Sequence, residues 1–197
     1  MILEILNIIG IIAFTISGAL KGITKGLDIF GVIVLGMVTS YAGGIIADIL
    51  LGIYPPQILT ELNFLLLTII ISVFVFYFHK FLYIKYFKMI LNVSDAIGLA
   101  TFATFGASLA YSHGLNVISV SLIAAIVGTG GGVIRDVLTN EIPLILTREV
   151  YATAALAGGI IYYFVFPYLT QITTFVTLFS VLIIRLIAIK YNLHLPK

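Results

Sequence analysis

A chain of 197 residues that is 61% hydrophobic and only 9% charged is not a soluble globular domain, where roughly a quarter of residues carry charge. A mean hydropathy of +1.23 and recurring apolar runs of about 20 residues place it in the helical membrane class. The formal charge of +2 is too small to argue for nucleic acid, and the absence of Cys excludes disulfides and thiolate metal sites.

The first predicted span covers about Ile2–Leu20; it has no basic leader segment and reads as a membrane helix, not a cleavable signal. The second runs from about Asp28 to Leu51 and closes at Tyr54-Pro55-Pro56. The third, about Asn63–Phe81, is nearly featureless and ends in His79 and Lys80, followed by a short basic connection with Lys85 and Lys88. The fourth covers about Ser94–Tyr111, the fifth Val117–Leu138, the sixth Val150–Phe166 and the seventh Thr170–Ile189. The fold class is therefore an all-α membrane protein with seven transmembrane helices.

Orientation follows from Lys and Arg. Connections after spans one, three, five and seven hold Lys21, Lys25, Lys80, Lys85, Lys88, Arg148, Lys190 and Lys197, and the N-terminus and the other connections hold none. A bias this one-sided predicts a cell-membrane protein with its N-terminus outside and its C-terminus in the cytoplasm.

An internal repeat organises the chain. Gly10, Phe14, Gly18, Ala19, Gly26, Leu27, Gly43, Gly44, Asp48 and Pro55 match Gly98, Phe102, Gly106, Ala107, Gly114, Leu115, Gly131, Gly132, Asp136 and Pro143, always 88 residues on. This predicts a first three-span unit over 1–88, a second over 89–167, and a seventh span with a cytoplasmic tail over 168–197. An odd number of spans turns the second unit upside down, and inverted repeats place a site at their shared axis near the midplane.

Within the repeat, Gly130-Gly131-Gly132-Val133-Ile134-Arg135-Asp136 and Ala42-Gly43-Gly44-Ile45-Ile46-Ala47-Asp48 combine glycines with charges inside apolar spans. Glycine destabilises a helix by about 1 kcal/mol against alanine, so its clustering needs a reason. One reason is close helix packing. The other is an interrupted helix whose freed carbonyls face a water-filled cavity, since lipid cannot satisfy them. Gly44 and Asp48, like Gly132 and Asp136, are four apart and share a helix face, which favours the interruption.

The candidate kink residues are therefore Gly43, Gly44, Gly130, Gly131 and Gly132, and the candidate pathway charges are Asp48, Arg135 and Asp136. Arg135 and Asp136 are neighbours that point about 100° apart, which predicts that they do not simply pair with each other. Arg135 instead reaches another helix or snorkels to the headgroups. Asp48 either faces the path or sits in the interface. Thr15, Ser17, Thr101, Thr104 and Ser108 either line water or pack, and Lys21 and Lys25 either anchor topology or stand at an inner mouth. Asp95 and Asp28 read as helix N-terminal residues opening spans four and two.

Other matches are discarded. Gly128-Thr129-Gly130-Gly131-Gly132-Val133 misses the third glycine of a dinucleotide fingerprint and follows no strand. Asn92-Val93-Ser94 fits a glycosylation acceptor but falls on the cytoplasmic side. His79, His113 and His194 are too scattered for a metal centre or a triad, and no nucleophile–base pair points to an enzyme.

At Phe14-Thr15-Ile16-Ser17-Gly18-Ala19, Lys25-Gly26-Leu27-Asp28, Gly131 to Leu138, Glu141-Ile142-Pro143-Leu144 and Tyr151-Ala152-Thr153-Ala154-Ala155, the chain resembles the prokaryotic trimeric intracellular cation (TRIC) channels. Bacterial relatives of that family are often labelled glycine transporters. The resemblance implies a homotrimer in lipid, with one pore per protomer bounded largely by spans one, two, four and five. It implies conduction of K+ or Na+ and no cofactor. Two departures are Ala42 for a glycine and Ala47 where relatives tend to carry Arg. Val133 stands where animal members carry a lysine, so their phosphoinositide binding is not carried over. The rivals are a small-solute transporter, for example of glycine, and a sealed membrane scaffold.

Overall fold

The computed structural model describes residues 2–81, 84–147, 150–170 and 172–193. Arg148, His194 and Lys197 lie outside the described residues, as does the side chain of Lys85. The described residues form helices and turns with no strand. In chain order they are α1 (Ile2–Thr24), α2 (Ile29–Leu50), α3 (Gln57–Thr60), α4 (Leu62–Phe78), α5 (Ile84–Ser112), α6 (Val117–Leu138), α7 (Leu144–Thr147), α8 (Ala152–Val165) and α9 (Thr173–Tyr191).

Six of these helices are long and apolar enough to cross a membrane, and α8 is a shorter apolar helix of 14 residues. It ends just ahead of Pro167, whose ring supplies no N–H to continue it. The fourth span starts earlier than expected. The basic connection through Lys88 is the first part of the 29-residue α5, because no Gly or Pro stops a helix between residues 84 and 97. Asp95 is therefore not an N-terminal residue but lies inside α5, 1% exposed. Asp28 does cap α2, accepting a hydrogen bond from the Gly31 N–H at 2.7 Å.

Helices α1, α2, α5 and α6 form the centre, through the pairs α1·α2, α5·α6, α1·α5 and α2·α6. α4 covers α1 and α2, whereas α8 and α9 pack on each other and on α5. α4 buries little beyond Thr68 and Ser72 and presents Leu66, Ile70, Phe74, Tyr77 and Phe78 outward, a face suited to acyl chains.

Local features recur at the 88-residue interval. Asp28 caps α2 and Asn116 caps α6, the latter accepting from the Ser119 N–H at 3.0 Å. Gly26 and Gly114 turn the chain before those caps with φ of 70° and 71°, a conformation open to glycine because it lacks Cβ.

The expected helix interruptions are absent: α2 and α6 run through their glycines without a break. The reason lies across the α2·α6 contact. A methyl group on Gly43 would overlap the carbonyl oxygen of Val127, and one on Gly131 would overlap the carbonyl oxygen of Thr39. The two contacts are reciprocal, since 43 and 131, and 39 and 127, are each 88 apart. Glycine here lets two helix backbones meet, as small residues do between membrane helices. Gly130 also stands against Gly43, and Gly44 has open space beside it.

Candidate functional site

Two cavities lie at opposite ends of α1. The one at the N-terminal end of α1, named the outer one for the orientation expected from the sequence, has about 40 Å³, is lined by Asn7, Ser40, Tyr41, Gly44, Asp48 and Phe102 among others, and has room for a few waters. The inner one, of about 360 Å³, is lined by Lys21, Lys88, Asn92, Arg135, Asp136 and Glu141 among others. Each cavity thus holds the acidic residue of one glycine motif.

Along α1, Phe14 sits between Ile11, at the outer cavity, and Ser17, which bonds to Arg135 at the inner one. Its ring stacks on Phe102 with centroids 5.3 Å apart and planes at 25°, and both rings are buried. Phe14 lies so close on Gly98 that a Cβ there would overlap it. A Cβ on Gly10 would stand 3.0 Å from the Phe102 ring. Each aromatic therefore packs on the glycine that precedes its counterpart.

Arg135 is the centre of the inner site. Only 1% exposed, it sends Nε to Asp136 Oδ1 at 2.9 Å and Nη1 to both Asp95 Oδ1 and Ser17 Oγ at 2.6 Å. Asp136 Oδ2 accepts the Leu144 N–H at 3.1 Å, which ties the cluster to α7. The expectation that Arg135 and Asp136 do not pair is thus corrected. The arginine stem is long enough to fold back across the intervening angle, and both side chains are buried. Arg135 does reach other helices, and it does not snorkel. A buried cation is tolerable only when paired and hydrogen-bonded, and two carboxylates meet that need.

Tyr151 closes the cluster from the other side. Its hydroxyl donates to Asp95 Oδ1 at 3.3 Å, and a Cβ on Gly132 would stand 2.6 Å from that oxygen. The third glycine of the triplet thus makes room for a phenol. Above the ring lies Arg185 of α9, its guanidinium carbon 4.7 Å from the centroid, with only 3% of the residue exposed.

At the rim of the inner cavity, Lys21 and Lys25 both pair with Glu141, Lys25 at 2.7 Å. Hydrogen bonds from Lys21 and then Lys25 hold the Glu141 carboxyl below the usual carboxylate range. The two lysines thus form one ion-paired group with Glu141 beside that cavity.

The remaining expected residues divide. Asp48 is 4% exposed, so it is buried at the outer cavity, not spread in an open interface. Ser17 joins the Arg135 cluster. Thr101 and Thr104 are buried and bond to carbonyls of their own helix, Ile97 and Ala100 respectively. Ser108 accepts from the Tyr162 hydroxyl at 2.9 Å, and the Thr15 hydroxyl is buried without a hydrogen-bond partner among the described residues. Sequence reasoning passed over Arg185, although a charge inside an apolar span is the same signal that drew attention to Arg135. Asp95 was read as a cap, and Phe14 gave no signal beyond its place in the repeat.

Comparison with known proteins adds to this geometry. A family model described as Glycine transporter matches residues 4–80 and 92–167. The membrane protein YvgT of Bacillus subtilis (strain 168) is 40% identical over 158 residues, 80% of this chain and 78% of that protein. The inner membrane protein YadS of Escherichia coli (strain K12) is 36% identical over 197 residues, covering 97% and 93%. A crystal structure of a prokaryotic TRIC channel in 0.5 M KCl superposes with a TM-score of 0.96 at 70% identity, covering 99% of each chain. The TRIC trimeric intracellular cation channel orthologue from Rhodobacter sphaeroides gives 0.91 at 31% identity, covering 98% of this chain and 99% of that one. The chain is a multi-span membrane protein that belongs to the family of the prokaryotic TRIC channels, the relatives gathered under the Glycine transporter description.

Proposed function

We propose that the protein is a homotrimeric channel for monovalent cations, K+ and Na+, with a path inside each protomer between α1, α2, α5 and α6. The observation that carries this reading is the pair of cavities at opposite ends of those helices, each with a buried carboxylate, with Phe14 between them along α1. Asp48 and Asp136 supply negative potential at the two ends. Glycines of α2 and α6 bring the helices close enough to leave only a narrow passage, and Gly44, with open space beside it, faces the outer cavity. Arg135, drawn between α1, α5 and α6, restricts the cytoplasmic end, and Lys21, Lys25 and Glu141 stand at its mouth. The N-terminus lies outside and the C-terminus in the cytoplasm. The reciprocal contacts at the 88-residue interval support two oppositely oriented units, 1–88 and 89–167, with the segment 168–197 outside them.

The description of the family model favours a second reading, a transporter of a small solute such as glycine, since two cavities closed from each other also suit alternating access. Vesicles containing the purified protein separate the two. The channel predicts potassium efflux that rises in proportion to the gradient without glycine. The transporter predicts saturable glycine uptake and little potassium leak.

A further inference from the structure

We propose that Arg185 of α9 is a positioning residue that holds the Arg135 cluster closed, so that the helix outside the repeated part of the chain governs opening; this rests on the channel reading above. An arginine inside an apolar span is costly and needs a specific role. Arg185 is 3% exposed and does not line the inner cavity, so it does not act on a passing ion directly. It covers the face of Tyr151, whose quadrupole attracts a cation, and so fixes the ring in one place.

That place matters because of Asp95. One of its oxygens, Oδ1, carries both the Tyr151 hydroxyl and Arg135 Nη1, and the other, Oδ2, is buried with no hydrogen-bond partner among the described residues. Those two donors orient the carboxylate. If the phenol leaves, Asp95 is free to turn, and Arg135 loses part of what draws it between α1, α5 and α6. The order of contact is therefore Arg185, Tyr151, Asp95, Arg135.

The test combines single-channel recording with heat denaturation of the full chain in detergent. Arg185→Met and Tyr151→Phe should each raise open probability about fivefold at unchanged unitary conductance, whereas Arg185→Lys, which keeps a cation over the ring, stays near the unmodified protein. Unchanged open probability in both, or an altered unitary conductance in Arg185→Met, would overturn the proposal. In the heat series, Arg185→Met and Tyr151→Phe should each lower the midpoint, and the double variant should fall no further than the more affected single. Additive losses would show two independent contacts and overturn it. If the unmodified protein carries no unitary current, the channel reading fails, and the heat series still decides whether the four residues act as one chain.

Discussion

Phe14 and Phe102 stack face to face, and the 88 residues between them also separate the two glycines on which they lie, Gly98 under Phe14 and Gly10 beneath Phe102. Each helix thus offers a ring to the other's glycine. Along α1, Phe14 lies between the outer cavity, with Asp48, and the inner one, with Asp136, and Phe102 lines the outer cavity.

Phe14→Ala should therefore open the passage. It removes a buried ring, at a cost of about 3–5 kcal/mol of stability, and leaves space where the two cavities approach. Potassium efflux from loaded vesicles should rise above that of the unmodified protein at equal protein density. Efflux no greater than that of the unmodified protein would show that the ring does not close the path.

The glycines should divide by position. Gly43→Ala and Gly131→Ala each push a methyl group into a backbone carbonyl of the facing helix, and overpacking of this kind costs about 1–3 kcal/mol. Gly44→Ala meets nothing and gains helix propensity of up to about 1 kcal/mol. Size-exclusion profiles after graded heating should show lowered midpoints for the first two and an equal or higher one for the third. Equal losses at all three positions would contradict the packing account.

The sequence carried the architecture further than the site. Length and hydropathy place the spans, Asp28 reads as a cap, and the constant 88-residue interval pairs Gly43 with Gly131. What it could not reveal is what each glycine meets. Breaking a helix and admitting a neighbouring carbonyl leave the same residues in the chain, and only the crossing of α2 and α6 decides between them. The pairing of Arg135 with Asp136 was hidden for a related reason, because angular position on a helix says little about a long, flexible side chain. Asp95 was misjudged because the hydropathy signal starts where the apolar run starts, ten residues after the helix does.

The two acidic residues should also differ. Asp136→Asn removes one partner of a buried ion pair and should destabilise by about 3–5 kcal/mol while also loosening Arg135. Asp48→Asn should lower cation-over-anion selectivity, measured from reversal potentials in low salt, with a smaller loss of stability. Selectivity unchanged in Asp48→Asn would remove this residue from the path.

The Glu141 mouth makes a pH prediction. Because its carboxyl lies below the usual carboxylate range, its ion pairs contribute fully above that range and are lost as pH falls through the lowered value. From pH 7 to pH 5 the mouth should keep its charge balance, and only below the usual carboxylate range should Lys21 and Lys25 become unopposed. Glu141→Gln should mimic the acid state at pH 7. Its cation conductance should fall about twofold in low salt and recover in 1 M salt, where such charges are screened. The same loss at both ionic strengths would point to a structural cause.

The account turns on passive cation flow. Purified protein in a planar bilayer between unequal KCl solutions should give discrete current steps whose reversal potential moves toward that of potassium. A membrane without such steps, and vesicles of the same protein showing only saturable glycine uptake, would contradict it.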